Sequence, residues 1–351
     1  MKCDWLKIPA KELNEDCRQQ ALQHQNILTK PPGALGLLEN LAVRLAAMQA
    51  NAHPQLENIH INVFAADHGV VAEGVSAFPQ SVTGEMVRNF ANGGAAISVL
   101  ARELNANLKV INLGTVNDPG ALQGVTHLSI GTCTANFLHE PAMNIKQLYD
   151  SLNAGRQAVE RAQLEKAQIY IAGDMGIGNT TAATALACAI LSLPANKLTG
   201  PGTGLDQLGI QHKTDIIDRA LDLHRMHFDQ PIEILRRLGG FEIAAIIGSY
   251  IACAQMGIPV LVDGFIASSA ALVATRLQPG IADWLIFAHT SAEPGHAHIL
   301  QALQVKPILD LGMRLGEGSG AAVALPLLRL ACALHNNMAT FEQASVSEKN
   351  E

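Results

Sequence analysis

Seven carboxylates, Asp67, Glu73, Asp174, Asp206, Asp263, Glu293 and Glu317, fall in or beside glycine-rich turns, while charge elsewhere in the chain is sparse. Acidic groups in such turns suit ribose hydroxyls, a metal or proton transfer. Glu317 is set apart by its neighbours. Gly316 and Gly318 flank it in the segment Arg314 to Ala322, RLGEGSGAA, which leaves no adjacent side chain to pair with it and opens its carboxylate to a ligand. The other reading makes it a first-turn charge on the helix that follows. Four histidines, His68, His289, His296 and His298, raise the question of a metal. His296 and His298 are two apart, which on a helix points them in different directions, so no metal is expected. Asp67 and His68 fit either an orienting pair or a hydrogen-bonded strand end. Ser291 lacks the GxSxG setting of a nucleophile.

Small residues in the same turns point to an anion. In GDMGIGNTT, Gly173 to Thr181, the glycines let the backbone approach a ligand, and free N–H groups with Asn179, Thr180 and Thr181 face a phosphate. A tight strand-to-helix turn capped by Asn179 or Thr180 is the alternative. Two further turns support the anion: HTSAEPG places Ser291 and Glu293 at a helix start, and GPGTGLD is a loop with Lys213 downstream. The segment approaches a P-loop, but Asn179 stands where the phosphate-reaching lysine belongs, which disfavours a nucleoside triphosphate. It is no dinucleotide fingerprint, since Thr181 occupies the position of the third glycine.

The elements that must hold these turns are short apolar runs, each the pattern of a buried parallel strand: 60–65, 108–113, 168–172, 259–262 and 284–288. Helical spacing fills the intervals 83–104, 144–162, 180–191, 242–255 and 292–304. Strand and helix alternate, so the fold class is α/β, with ligand turns at the carboxyl ends of the strands. Residues 1–50 and 320–340 read as a small helical domain, 51–319 as a large α/β domain, and 341–351 as a frayed polar tail.

Bulk composition narrows the partners. The 351 residues are 48% hydrophobic and carry a formal charge of -7, enough for a large core and without the basic footprint of a nucleic-acid or anionic-membrane binder. A small molecule is the expected ligand. Six scattered cysteines, Cys3, Cys17, Cys133, Cys188, Cys253 and Cys332, form no CxxC pair and suit a reducing cytoplasm. The apolar stretch 243–262 contains Gln255 and Pro259 and changes character at Gly257, so it reads as a helix followed by a buried strand and not as a membrane span.

Taken together, LTKPPGALGLLENLA (28–42), ADHGVVAEGVSAFPQSVT, GDMGIGNTTAA, GGFEIAAIIGSYIAC, IPVLVDGFIASSAAL, SAEPG and LGMRLGEGSGAA closely resemble the nicotinate-nucleotide:dimethylbenzimidazole phosphoribosyltransferase family, in the family's order over most of the chain. The resemblance implies a three-layer α/β/α domain with a mostly parallel Rossmann-like sheet, a small helical domain made from both ends, and a homodimer. It implies transfer of phosphoribose from nicotinate mononucleotide to 5,6-dimethylbenzimidazole for the lower ligand of cobalamin, with no cofactor and no metal. Glu317 occupies the family's catalytic position. By the same resemblance Gly176, Asn179 and Lys213 would hold the phosphate, with Gly202 and Ser291 nearby, and Thr180 is a further substrate-binding candidate. Asp174 and Asp263 would lie near ribose or nicotinate, and Phe78, Met86, Met175 and Leu315 would flank the flat base.

The sequence departs from the family's usual pattern in a few places. Ala34 stands where serine is frequent, Asp174 is one methylene shorter than the usual glutamate, and Phe78 and Met86 occupy variable positions. These bear on base preference, because a pocket reads bulk to only about 1–3 kcal/mol per methylene. Two rivals make different predictions: a noncatalytic nucleotide or azole binder captures ligand without turnover, and a triphosphate-dependent transferase needs Mg²⁺ and ATP.

Overall fold

The structure is a computed structural model, and it describes residues 4–347; Cys3 and the last four residues of the expected tail lie outside this range. Six strands form one sheet: β1 (Ile59–Ala66), β2 (Asn107–Gly114), β3 (Val125–His127), β4 (Ile169–Met175), β5 (Val260–Val262) and β6 (Leu285–Phe287). Every pairing is parallel and the spatial order is β3-β2-β1-β4-β5-β6. This is the doubly wound order, in which the chain reverses its direction of travel across the sheet between β1 and β4. All eight residues of β1 are buried, as a parallel strand covered on both faces requires.

Thirteen α-helices accompany the sheet among the described residues. They are α1 (Glu15–Ile27), α2 (Leu37–Gln49), α3 (Ser81–Ala91), α4 (Ala96–Glu103), α5 (Ile145–Leu164), α6 (Asn179–Leu191) and α7 (Gln207–His224), followed by α8 (Pro231–Leu238), α9 (Phe241–Met256), α10 (Phe265–Leu277), α11 (Pro294–Leu303), α12 (Ser319–Asn337) and α13 (Phe341–Ala344). The apolar stretch at 243–262 resolves as expected into α9, a left-handed Gly257 and β5. No helix of the described residues is long and apolar enough to cross a membrane.

Three segments differ from the sequence reading. The interval 83–104 is two helices, because Asn92-Gly93-Gly94 breaks the run: Gly93 turns at φ +78° and α4 restarts after Ala95. The strand β3 was not anticipated, being three partly exposed residues paired at the edge of β2. The start of the expected frayed tail is ordered helix, since Thr340 and Gln343 form a capping box on α13 and Leu28 bridges Thr340. Near that bridge the buried Lys30 pairs with the half-buried Glu39 at 2.9 Å, and Glu39 also accepts the Leu35 N–H, which fixes the 28–42 motif against α2.

Candidate active site

The turns after β1 and β4 meet where the strand order reverses. A side chain at Gly176 would strike the Ala66 carbonyl at 2.2 Å, so the two strand ends touch through bare backbone. Over this crossing lies a cavity lined from six directions, by the 78–86 segment, the β4–α6 turn, the 202–203 loop, the start of α10, the 289–293 loop and residues 314–317. All the anticipated site residues except Lys213 line it, and Lys213 closes an adjoining recess shared with Gly176, Asn179, Thr180 and Gly202.

At one end three carboxylates crowd together. Glu317 lies in the left-handed region at φ +63°, between Gly316 at +88° and Gly318 at +85°. For a non-glycine residue this conformation costs about 1–2 kcal/mol, and the surroundings must hold it. They do so through backbone bonds: Glu317 N–H donates to the Asp174 carbonyl at 3.3 Å and Ser319 N–H to the Gly316 carbonyl at 3.0 Å. The end of β4 leaves room only because residue 173 is glycine, where a Cβ would fall 2.1 Å from the Glu317 carbonyl oxygen.

The Glu317 side chain is buried, 5% exposed, and is not as open as its glycine neighbours suggested. Its Oε2 accepts the Ile97 N–H at 3.2 Å. Burial raises its pKa above the usual carboxylate value; the Ile97 N–H opposes that rise and the nearby Asp263 adds to it. Asp174 is pushed much further up, by burial and then by the charges of Asp263, Glu242 and Glu317, against the single bond that it accepts from Asn179 Nδ2 at 3.0 Å.

Asp263 lines the cavity and is also tied to the backbone. Its two oxygens accept from Gly318 N–H at 3.1 Å and Ala321 N–H at 2.8 Å, so it caps the start of α12 directly behind Glu317. His289 adds an imidazole 3.5 Å from the same carboxylate, and its pKa is raised overall: burial, the largest influence, lowers it, and the Asp263 carboxylate outweighs that effect.

The other end is cationic. Lys213, on α7 and fully buried, donates to Thr180 Oγ1 at 2.8 Å and lies 3.5 Å from the Gly200 carbonyl. Burial pulls its pKa down to about 8, with Glu293 holding it up. Arg314 Nη1 donates to the Gly202 carbonyl at 2.7 Å, and Ser291 Oγ accepts the Glu293 N–H at 3.3 Å. His296, far from binding a metal, accepts the Ser291 N–H at 2.8 Å and bonds Ser268 at 2.9 Å; burial lowers its pKa to about 4. Asn179, within the lining, donates to Asp174, and Thr181 is wholly buried outside the lining. Between the two ends the walls are apolar, with Phe78, Met86, Met175, Leu315 and also Val82 and Phe265.

The remaining carboxylates serve the scaffold. Asp67 accepts from Thr83 Oγ1 at 2.6 Å and Val116 N–H at 2.8 Å, Glu73 from Asn136 Nδ2 at 2.6 Å, and Asp206 caps α7. His68 pairs with Glu242 at 2.7 Å and not with Asp67. Sequence reasoning passed over Arg314, Val82 and Phe265 as lining residues. Arg314 had a signal, as the cation inside the RLGEGSG segment; the two apolar residues had none.

A doubly wound α/β fold with its cleft at the strand reversal, a cation recess and a buried carboxylate across an apolar slot has the form of an enzyme site for a small anionic ligand with a flat apolar part. The sequence pattern of the phosphoribosyltransferase family matches residues 10–346. Curated relatives include two nicotinate-nucleotide–dimethylbenzimidazole phosphoribosyltransferases. The one from Pseudomonas aeruginosa is 58% identical over 349 residues, 99% of each chain, and the one from Xanthomonas oryzae pv. oryzae is 60% identical over 348 residues, 99% of this chain and 100% of the relative. The crystal structure of the Thermus thermophilus enzyme of that name superimposes with a TM-score of 0.90 at 43% identity, covering 96% of this chain and 100% of that one. The chain belongs to the nicotinate-nucleotide–dimethylbenzimidazole phosphoribosyltransferase family.

Proposed function

We propose that the protein transfers phosphoribose from nicotinate mononucleotide to 5,6-dimethylbenzimidazole, yielding α-ribazole 5'-phosphate and nicotinate, with Glu317 as the general base. The observation that carries the reading is the position of a buried carboxylate of raised pKa across an apolar slot from a buried lysine.

The chemistry asks different things of the two ends. The departing nicotinate is already a pyridinium, so the C1'–N bond breaks with its electron pair going to nitrogen and no acid is required. One benzimidazole nitrogen bonds to C1', which passes through an oxocarbenium-like state, and the other ring N–H becomes acidic. Glu317 accepts that proton. A base whose pKa is raised toward neutrality is better matched to this task than an ordinary carboxylate, provided it is ionised at the working pH. Lys213, with Thr180, Gly176, Asn179, Gly202 and Ser291, receives the phosphate. A lysine bonded to neutral oxygens in the free enzyme gains a full counter-charge when the phosphate enters. Phe78, Met86, Met175 and Leu315 sandwich the base, and Asp174 and Asp263 stand near the sugar. Because Asp263 is occupied by the backbone of α12, its contribution is to hold Glu317 in place.

The reading includes a homodimer in the cytoplasm. The cytoplasmic location is supported by the five described cysteines, all free, and the dimer by the family; light scattering on the purified protein checks the dimer. The direct test of function is incubation with nicotinate mononucleotide and 5,6-dimethylbenzimidazole, no metal added, following both products by chromatography and mass. Equal amounts of nicotinate and α-ribazole phosphate are expected. Bound ligand without either product would favour the noncatalytic binder.

A further inference from the structure

The first turn of α4 carries orphan N–H groups, and Ala95 at its cap position has no side chain able to satisfy them. The partner comes from 220 residues further along the chain, where Glu317 Oε2 accepts the Ile97 N–H at 3.2 Å. Both groups are buried, so the bond is shielded from water and the positive end of the helix faces a carboxylate. The pairing is selective within the cluster, because Asp174 is bonded by Asn179 and Asp263 by the α12 backbone.

We propose that the main-chain N–H of Ile97 is a positioning group for the base, seating one Glu317 oxygen on the start of α4 and leaving Oε1 for the substrate proton. The inference rests on Glu317 being the base. The same turn joins the base to the pocket wall: α3 carries Val82 and Met86, which line the cavity, and the Asn92–Ala95 link to α4 is tied by Arg102 Nη1 donating to the Gly93 carbonyl at 2.7 Å.

The groups facing Glu317 are Asp263 from the end of β5, with His289 behind it, and Asp174 from β4. Burial, with a smaller contribution from Asp263, favours its protonated form, and the Ile97 N–H favours the ionised one. Removing that N–H therefore moves ionisation, and with it the acid limb of kcat/KM, to higher pH.

The native enzyme, labelled with ¹⁵N-isoleucine, provides the test, with Ile97 assigned by the peak missing from Ile97→Val. The Ile97 amide is expected to titrate together with the acid limb of kcat/KM and to stop titrating in Glu317→Gln. Ile97→Pro, a residue tolerated in a first helical turn, is expected to raise that limb by roughly one to two pH units relative to Ile97→Val, which keeps the N–H. An Ile97 amide indifferent to pH, in an enzyme whose turnover falls with Glu317→Gln, would overturn the positioning role and leave the base reading intact. Unchanged turnover in Glu317→Gln would instead remove the base, and the positioning role with it.

Discussion

The two ends of the cleft are built on opposite principles. At the Glu317 end acidic groups are gathered and buried together, and burial with the nearby carboxylates makes Asp174 and Glu317 harder to ionise. At the Lys213 end the cation is buried with neutral acceptors and one acidic neighbour, Glu293, so it awaits a counter-charge. Crowding makes a base; isolation makes an anion receptor. Residues of one fold can thus do both jobs about one crossing of strands, because α12 and α7 deliver them from different sides.

The contrast can be broken one end at a time. Glu317→Gln keeps shape and removes only proton acceptance; kcat is expected to fall by ~10²–10⁴ with an unchanged circular dichroism spectrum. Lys213→Met leaves the base end intact, so KM for nicotinate mononucleotide should rise about 10–100-fold in steady-state assays, the worth of charge-assisted hydrogen bonds, with kcat much less affected. Gly173→Ala drives a methyl into the Glu317 carbonyl, and a loss of about 1–3 kcal/mol in denaturant unfolding is expected, with kcat reduced more than KM for nicotinate mononucleotide. Equal effects of Lys213→Met and Glu317→Gln on kcat would erase the distinction between the ends.

Much of this arrangement was legible in the sequence, for physical reasons. β1, β2, β4, β5 and β6 are apolar runs because both faces of a parallel sheet are buried, whereas β3 is a half-exposed edge and has no such signature. The glycine turns announced the ligand side. The partners within it were not visible: the oxygens of Asp263 accept from N–H groups 55 and 58 residues away, which no linear pattern connects. The seat of Glu317 depends on α4, which the sequence merged with α3, so the bond from Ile97 had no place in a linear reading. The partners of His296 were equally invisible, since its ring bonds Ser291 and Ser268, 5 and 28 residues away.

The pH dependence of kcat/KM for nicotinate mononucleotide tests the division between the ends most directly. Glu317 must be ionised and its pKa is raised, so activity should fall on the acid side through a limb above the ordinary carboxylate range. Lys213 must be charged and its pKa is lowered to about 8, so activity should fall again as pH rises through about 8, and Lys213→Met should abolish that limb alone. A bell of this form is expected. A rate constant with no acid limb above the ordinary carboxylate range and no fall as pH rises through about 8 would contradict the account.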